Sequence, residues 1–295
     1  MTAMEKIDLC FPATLAEALV WMADETTRGL PLAGGTDLMV QWESGARPVP
    51  VRAIDVKNLV ELRELTVAGD DVVIGAGVTH AKLRASSIVQ RAIPALAEAA
   101  ATVGGGQIQA MGTIAGSIAN ASPAGDLAPT LLASDARVVV ASVRGERTMP
   151  LSSFILGYRK IDLAPDELIV RFLVPACKGG EREAFRKLGP RAAQAISKIM
   201  GSYRGEVVDG KIVRFSVALG SVAATAIRLT EVEKSVLGKP LSSRTIDEAE
   251  RIASASVKPI SDIRSTAEYR TWVSGRLVRG FLEHLADQRD ASPYL

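Results

Sequence analysis

"LPLAGGTDLMV", residues 30 to 40, sets a short apolar stretch directly against two glycines and a Thr-Asp pair. Glycine lacks a Cβ, so at Gly34 and Gly35 the chain can turn sharply and let a ligand touch the backbone. Amides left open there, with the Thr36 hydroxyl, suit a pyrophosphate, whose charge needs many short hydrogen-bond donors more than one lysine. A plain strand-to-helix turn would use the same residues, and on this stretch alone both readings stand.

The flanks supply the context. Ile7 to Phe11 reads as a strand, and Thr14-Leu-Ala-Glu17 has the capping-box form in which hydroxyl and carboxylate satisfy neighbouring amides. Leu15, Ala18, Leu19, Met22 and Ala23 then share one helix face. Gly29 ends that helix or turns the chain, Leu30 to Ala33 forms a second strand and Val51 to Val56 a third. The opening is β-α-β.

From about residue 62 the pattern changes to paired strands, with a hairpin around Gly69-Asp70 and another around Arg144-Gly145. Pro94 to Thr102 is helical and leads into Gly104-Gly105-Gly106; Leu168 to Val174 is a last strand before Pro175. "CKGGERE", residues 177 to 183, reads as a polar connector between domains. Beyond it a hairpin turns on Asp209-Gly210, followed by helices near 230–237, 245–255 and 265–286.

A second run of small residues, "TIAGSIANASPAGD" at 113 to 126, carries almost nothing that acts as an acid, base or nucleophile. Thr113, Gly116 and Ser117 offer amides and hydroxyls, Asp126 an acceptor for a ribose or a ring N–H, and the small side chains room for a ring system. A dinucleotide is long enough to need two such loops. A tightly packed turn is the competing reading.

Two common nucleotide motifs are absent. No G-x-G-x-x-G occurs, since Gly75 and Gly77 are followed by His80, and Gly104 and Gly106 by Gln109. Gly205 to Lys211 has the phosphate-loop spacing, but Ile212 stands where a metal-binding hydroxyl is required, and Asp209-Gly210 is hairpin-turn chemistry. Lys187 and Arg191 place positive charge over an anionic ligand, or else make surface ion pairs. His80 and His284 read as surface or internally satisfied histidines, and Arg264, Arg270, Arg276 and Arg279 as a solvated or subunit-facing helix.

Composition narrows the class. The 295 residues, 47% of them hydrophobic, suffice for two domains with real cores. A net charge of +2 and 4% aromatic residues disfavour nucleic-acid binding. Cys10 and Cys177 are too few for a metal cluster and read as reduced thiols. The charged start, with Glu5, Lys6 and Asp8, does not read as a signal peptide, and no run approaches the ~20 apolar residues of a membrane span. The expected location is cytoplasmic.

Taken together, "AGGTDL" at 33–38, "GTIAGSIANASPAGDLAP" at 112–129, "FRKLGPRAAQAIS" at 185–197 and "EYR" at 268–270 resemble the FAD-binding medium subunit of the molybdenum hydroxylases, the xanthine dehydrogenase and carbon monoxide dehydrogenase family. The likeness runs through nearly the whole chain, in order. It implies an α+β protein: a two-part FAD-binding domain of the vanillyl-alcohol oxidase type, followed by a smaller α+β C-terminal domain. The expected limits are 1–176 for the first, with a β-α-β lobe at 1–58 and a larger mixed lobe at 59–176, and 182–288 for the second.

Residue by residue, the resemblance implies that Leu32, Ala33, Gly34, Gly35, Thr36, Asp37 and Leu38 hold the FAD pyrophosphate, with Thr113, Ile114, Ala115, Gly116 and Ser117 as the second loop. Asp126 matches a position that bonds the cofactor, Ile169 one that packs beside it, and Lys187 one near the flavin; Val103 and Gly104 also transfer. The chain departs from many relatives at Gln109-Ala110, where those have Arg-Asn, and at Ala115, where those have Gly.

The same resemblance implies non-covalent FAD, with no catalytic side chain and no metal ligand in this chain. Molybdopterin belongs to a large partner subunit and two [2Fe-2S] clusters to a small one, in a dimer of heterotrimers. Electrons reach the flavin singly and leave for NAD+, oxygen or another acceptor. Two other classes remain: a self-sufficient flavin oxidase on the same fold, which needs its own base, and a non-enzymatic subunit that has lost the cofactor.

Overall fold

The structure is a computed structural model that describes residues 7–286. Glu5, Lys6 and the end of the expected 182–288 unit lie outside them.

The chain opens with β1 (Asp8–Cys10), α1 (Leu15–Ala23), β2 (Leu30–Leu32), α2 (Leu38–Glu43) and β3 (Arg52–Asp55). Among the described residues these strands form a parallel sheet ordered β1-β3-β2. Thr14 caps α1 by accepting from the Glu17 amide, and the Glu17 carboxylate returns to the Ala13 amide at 2.6 Å, one residue ahead of the cap. Gly29 does not end α1, which stops at Ala23. A Cβ there would stand 3.0 Å from the Arg52 and Ile54 side chains, so the missing side chain lets the chain cross close over β3.

The second lobe begins with β4 (Leu65–Ala68) and β5 (Asp71–Gly75). Six helices follow: α3 (His80–Ala85), α4 (Ser87–Ala92), α5 (Pro94–Ala101), α6 (Gly106–Met111), α7 (Ile114–Ala119) and α8 (Leu127–Ala133). Then come β6 (Arg137–Ser142), β7 (Gly145–Pro150), α9 (Leu151–Phe154), the small hairpin β8 (Ile155–Gly157) and β9 (Lys160–Ile161), and β10 (Leu168–Pro175). Both long hairpins pair with β10, giving an antiparallel sheet ordered β4-β5-β10-β6-β7. Its central strands are almost continuously apolar because α-helices cover them.

The last part holds β11 (Glu181–Leu188), β12 (Ile199–Val208), β13 (Lys211–Gly220), β14 (Ile227–Arg228), α10 (Thr230–Val236), α11 (Ser243–Ala255) and α12 (Ala267–Ala286). Its antiparallel sheet runs β11-β12-β13-β14. Asp209 and Gly210 both adopt positive φ, 50° and 72°, as a two-residue hairpin turn requires. The phosphate-loop look-alike is therefore a β-hairpin. The polar connector is shorter than its composition suggests, because Glu181, Arg182 and Glu183 already pair with β12.

Both faces of this last sheet are covered. Helices α10 and α12 pack on it from their own domain, while α5 and α8 of the second lobe pack on it from the other. Phe185, Met200, Ala218 and Ala226 join the core of the flanking lobe rather than their own. At the joint, Arg204 and Glu183 form an ion pair whose side chains are 0% and 1% exposed. Glu183 also accepts from the Ala95 amide, and Arg204 donates to the Pro175 carbonyl, so the second lobe bonds both partners, while one guanidinium nitrogen of Arg204 has no hydrogen-bond partner among the described residues.

Of the C-terminal arginines, buried Arg270 departs from the reading of a solvated or subunit-facing helix, whereas Arg264 and Arg276 are about half exposed. Arg264 precedes α12, Arg270 is buried against Asp262 at 2.7 Å, and Arg276 and Arg279 reach Glu250, tying α12 to α11. Cys10 and Cys177 are unpaired, and burial pushes the Cys177 thiol up to about 12. Among the described residues no helix is long and apolar enough to cross a membrane, and no cluster of His, Cys, Asp or Glu is placed to hold a metal ion.

Candidate functional site

The first loop leaves β2 at Leu32, whose carbonyl accepts from the Val56 amide, and enters α2 once the Met39 amide finds the Gly35 carbonyl. Gly35 sits at φ +68°, a conformation that disfavours any side chain. Among the described residues the amides of Gly34, Gly35, Thr36 and Asp37 donate no hydrogen bond. Four N–H groups at a half-exposed turn are the donor set that a diphosphate needs. Asp37 is exposed, and its carboxylate accepts from Gln41, whose amide also reaches Asn120 at 3.4 Å.

Gly34 decides where this loop lies. A Cβ built on it would fall inside the Met111 carbonyl and 3.0 Å from the Gly112 amide nitrogen. The two glycine-bearing loops therefore touch backbone to backbone, an approach only glycine permits.

The second loop is seated on the sheet below it. His80 donates its amide to Gly112, Ile114 to Val78, and Ala115 to Ala76, which itself bonds to Val170 on β10. Thr113 caps α7 through its hydroxyl oxygen, which accepts from the Gly116 amide at 3.1 Å. The amides of Gly116 and Ser117 are thus engaged within the helix rather than offered outward, a difference from the sequence expectation. What this loop presents is the exposed, side-chain-free surface of Gly116 and the Ser117 hydroxyl. Ala115 turns its methyl onto the core.

From Ser117 the surface continues to Gly125, where an added Cβ would lie 4.0 Å from the Ser117 hydroxyl, and so to Asp126. Lys187 arrives from β11: its ammonium lies 2.5 Å from the Asp126 carboxylate and donates to the Thr102 carbonyl at 3.0 Å. Both side chains are buried, 10% and 7% exposed. Burial raises the Asp126 pKa, and the Lys187 charge opposes that rise. The second carboxylate oxygen of Asp126 is buried with no partner among the described residues, which marks an acceptor in want of a donor.

Thr102 closes the arc. Its hydroxyl donates to the Ala99 carbonyl at 2.8 Å and lies 3.3 Å from the Asp126 carboxylate, and the chain runs on through Val103 to Gly104, held at φ +53°. Gly105 then lies against Gln194, with an added Cβ 3.2 Å from the amide. Leu32 to Leu38, Thr113 to Ser117, Asp126, Lys187, Val103 and Gly104 so form one continuous band. Ile169 lies a layer beneath it, 3% exposed on β10 beside the Val170 that supports the second loop. A cavity of about 440 Å³ opens on the β11 side of Lys187, between Thr102, Arg191, Gln194 and His284, rather than between the glycine loops. Arg191 turns back onto the Ala193 and Gln194 carbonyls, at 3.1 Å each.

His80 is neither a surface nor a satisfied histidine. It is 3% exposed, its Nδ1 finds no partner among the described residues, and its ring lies against Gly112, where an added Cβ would meet Nε2 at 3.2 Å. Burial lowers its pKa to about 4. His284 shares a 2.6 Å hydrogen bond with the Tyr203 hydroxyl. Thr102 and Asn120 carry no motif signal in the sequence; only their neighbours Gly104 and Gly116 hinted at the region.

The chain has counterparts among known proteins. Residues 5–177 match the model of the FAD binding domain in molybdopterin dehydrogenase, and residues 183–285 that of the CO dehydrogenase flavoprotein C-terminal domain. The chain is 34% identical over 260 residues to a xanthine dehydrogenase FAD-binding subunit of Escherichia coli O157:H7, covering 88% of each. It is 31% identical to the carbon monoxide dehydrogenase medium chain of Hydrogenophaga pseudoflava, covering 91% of this chain and 93% of that one. A solved structure of carbon monoxide dehydrogenase from that organism, lacking the Mo-pyranopterin moiety of its cofactor, superposes with a TM-score of 0.89 at 30% identity, over 93% of this chain and 95% of that one.

Proposed function

The chain belongs to the family of FAD-binding domains in molybdopterin dehydrogenases, and we propose that it is the electron-transferring flavoprotein subunit of a heterotrimeric molybdenum hydroxylase. One observation carries this reading: Gly34 lies on Met111 and Gly112, so the loop with free amides and the loop of small residues form a single cradle. Open N–H groups at one end and an unpartnered carboxylate oxygen at the other fit a cofactor with a diphosphate and a ring N–H.

In this reading the amides from Gly34 to Asp37 bind the pyrophosphate, Gly116 and Ser117 lie along it, and the free oxygen of Asp126 accepts from the flavin ring. Lys187 stays bonded to Asp126 and sets a buried positive charge beside that ring. Ile169 and the core beneath keep the second loop rigid and dry. Bound FAD supplies redox chemistry that accepts electrons singly and releases them as a pair. In the proposed complex, [2Fe-2S] clusters of a small partner would supply the electrons, a large partner would hold the molybdopterin at which an organic substrate is oxidised, and NAD+, oxygen or another acceptor would take the electrons. A dimer of such heterotrimers is the proposed assembly.

A self-sufficient oxidase is less well supported, because at the Asp126 end of the band Asp126 is paired with Lys187 and His80 is buried behind Gly112, and the exposed carboxylate of Asp37 belongs to the proposed pyrophosphate loop. The absorption spectrum of the purified full chain tests the proposal. Flavin bands that leave with the supernatant on acid precipitation are expected. Covalently retained flavin would point to the oxidase, and a chain that takes up no FAD to the subunit without cofactor.

A further inference from the structure

Helix α5 is capped at both ends by one strand of the C-terminal sheet. Its N-cap residue, Ile93, supplies no side-chain hydrogen bond, and the orphan amide of Ala95 is taken by the Glu183 carboxylate at 3.0 Å. At the far end Thr102 is the C-cap, and its carbonyl accepts from the Lys187 ammonium at 3.0 Å. Between them the Phe185 amide donates to Glu98 at 2.9 Å. A carboxylate at the N-terminus and an ammonium at the C-terminus both complement the helix dipole.

The dimensions agree. Eight helical residues span about 12 Å, and the four-residue step from Glu183 to Lys187 along a strand spans about 13 Å. Glu183, Phe185 and Lys187 share the strand face turned to α5, since side chains alternate along β11. Glu183 is itself fixed on its other side by Arg204 at 2.7 Å. The register of β11 along α5 therefore determines where the Lys187 ammonium comes to rest, and Thr102, Val103 and Gly104 leave the same helix end.

We propose that Glu98 and Glu183 are positioning residues of the cofactor site: they hold β11 in register along α5, so that a lysine from the C-terminal domain is delivered to Asp126. The proposal rests on the reading that FAD occupies the band containing Asp126 and Lys187. The C-terminal domain is then a part of the cofactor site rather than an appendage to it.

Glu98 is the residue to test, because it is half exposed and lies outside the Glu183–Arg204 pair; its loss frees the Phe185 amide and removes a 3.9 Å ion pair with the part-buried Arg186. The full chain is reconstituted with FAD, and dissociation constant, flavin reduction potential and melting temperature are measured for wild type, Glu98→Ala, Glu98→Gln, Lys187→Met and the double variant. Glu98→Ala is expected to weaken FAD binding about 3- to 10-fold, as for one lost hydrogen bond, and to shift the potential in the same direction as Lys187→Met. In the Lys187→Met background the same change should have less than about a twofold effect on binding, the mark of coupled residues. Glu98→Gln, which keeps an acceptor, should restore the wild-type potential.

Equal effects of Glu98→Ala in both backgrounds, or a lowered melting temperature with binding and potential unchanged, overturns the inference and leaves the functional reading standing. Unaltered flavin in Lys187→Met does the same. A wild-type chain that binds no FAD overturns the functional reading, and this inference with it.

Discussion

Replacing Gly34 by Ala adds one methyl at the point where the two glycine loops meet. That carbon would overlap both the carbon and the oxygen of the Met111 carbonyl and stand 3.0 Å from the Gly112 nitrogen. All three atoms are backbone, so no side-chain rotation relieves the clash. Ordinary contact requires ~3.5 Å, and the loops must part by more than about 1 Å. Over-packing of this kind costs about 1–3 kcal/mol, which corresponds to ~5- to 150-fold in affinity if it falls wholly on the bound state. The site lies at the edge of a lobe whose core is elsewhere, so the chain itself should still fold. Fluorescence titration with FAD, beside thermal melting of the free chain, separates the two effects. Gly35→Ala is the control: nothing lies closer than 3.5 Å to its added Cβ, and only its φ of +68° is penalised, by ~1–2 kcal/mol. Gly34→Ala binding FAD within twofold of wild type would refute the cradle.

Three further outcomes are expected. Gly35→Asp sets a carboxylate against the proposed diphosphate, so flavin content should collapse while the chain still folds, with a melting temperature lowered no more than in Gly35→Ala; full occupancy would count against the loop's assignment. His80 has its pKa lowered from 6.5 to about 4 by burial, so the unfolded chain binds more protons between those values and stability falls as pH drops through that window. The loss amounts to about 3 kcal/mol by pH ~4, and His80→Leu should flatten the melting temperature against pH over the range. Arg204→Leu strands Glu183 in the domain joint and should cost ~3–5 kcal/mol in denaturant unfolding, whereas replacing both partners with apolar residues should cost far less.

Much of the fold is legible from local chemistry. Thr14 and Glu17 announce the start of α1, Asp209-Gly210 the tight hairpin, and Pro175 the end of β10, because caps and turns are fixed by the residues that make them. Gly29 misleads for the opposite reason: its neighbours Arg52 and Ile54 lie on another strand, and a helix end and a close crossing both demand the same missing side chain. His80 misleads likewise, since its ring lies against Gly112, more than thirty residues on.

The sequence by itself therefore determined which segments fold and where glycine is obligatory, and its four ordered motifs carried the family likeness. Only the tertiary structure decided what the obligatory glycines face: Gly34 meets Met111, seventy-odd residues on, and Asp126 meets a lysine from another sheet. It also decided which amides remain open, leaving those from Gly34 to Asp37 without a partner among the described residues while α7 takes up those of Gly116 and Ser117. The reason is physical. A residue's own chemistry limits its backbone and its hydrogen bonds to near neighbours, but whether a donor, a charge or a missing Cβ is left over for a ligand depends on which distant backbone the packing brings against it.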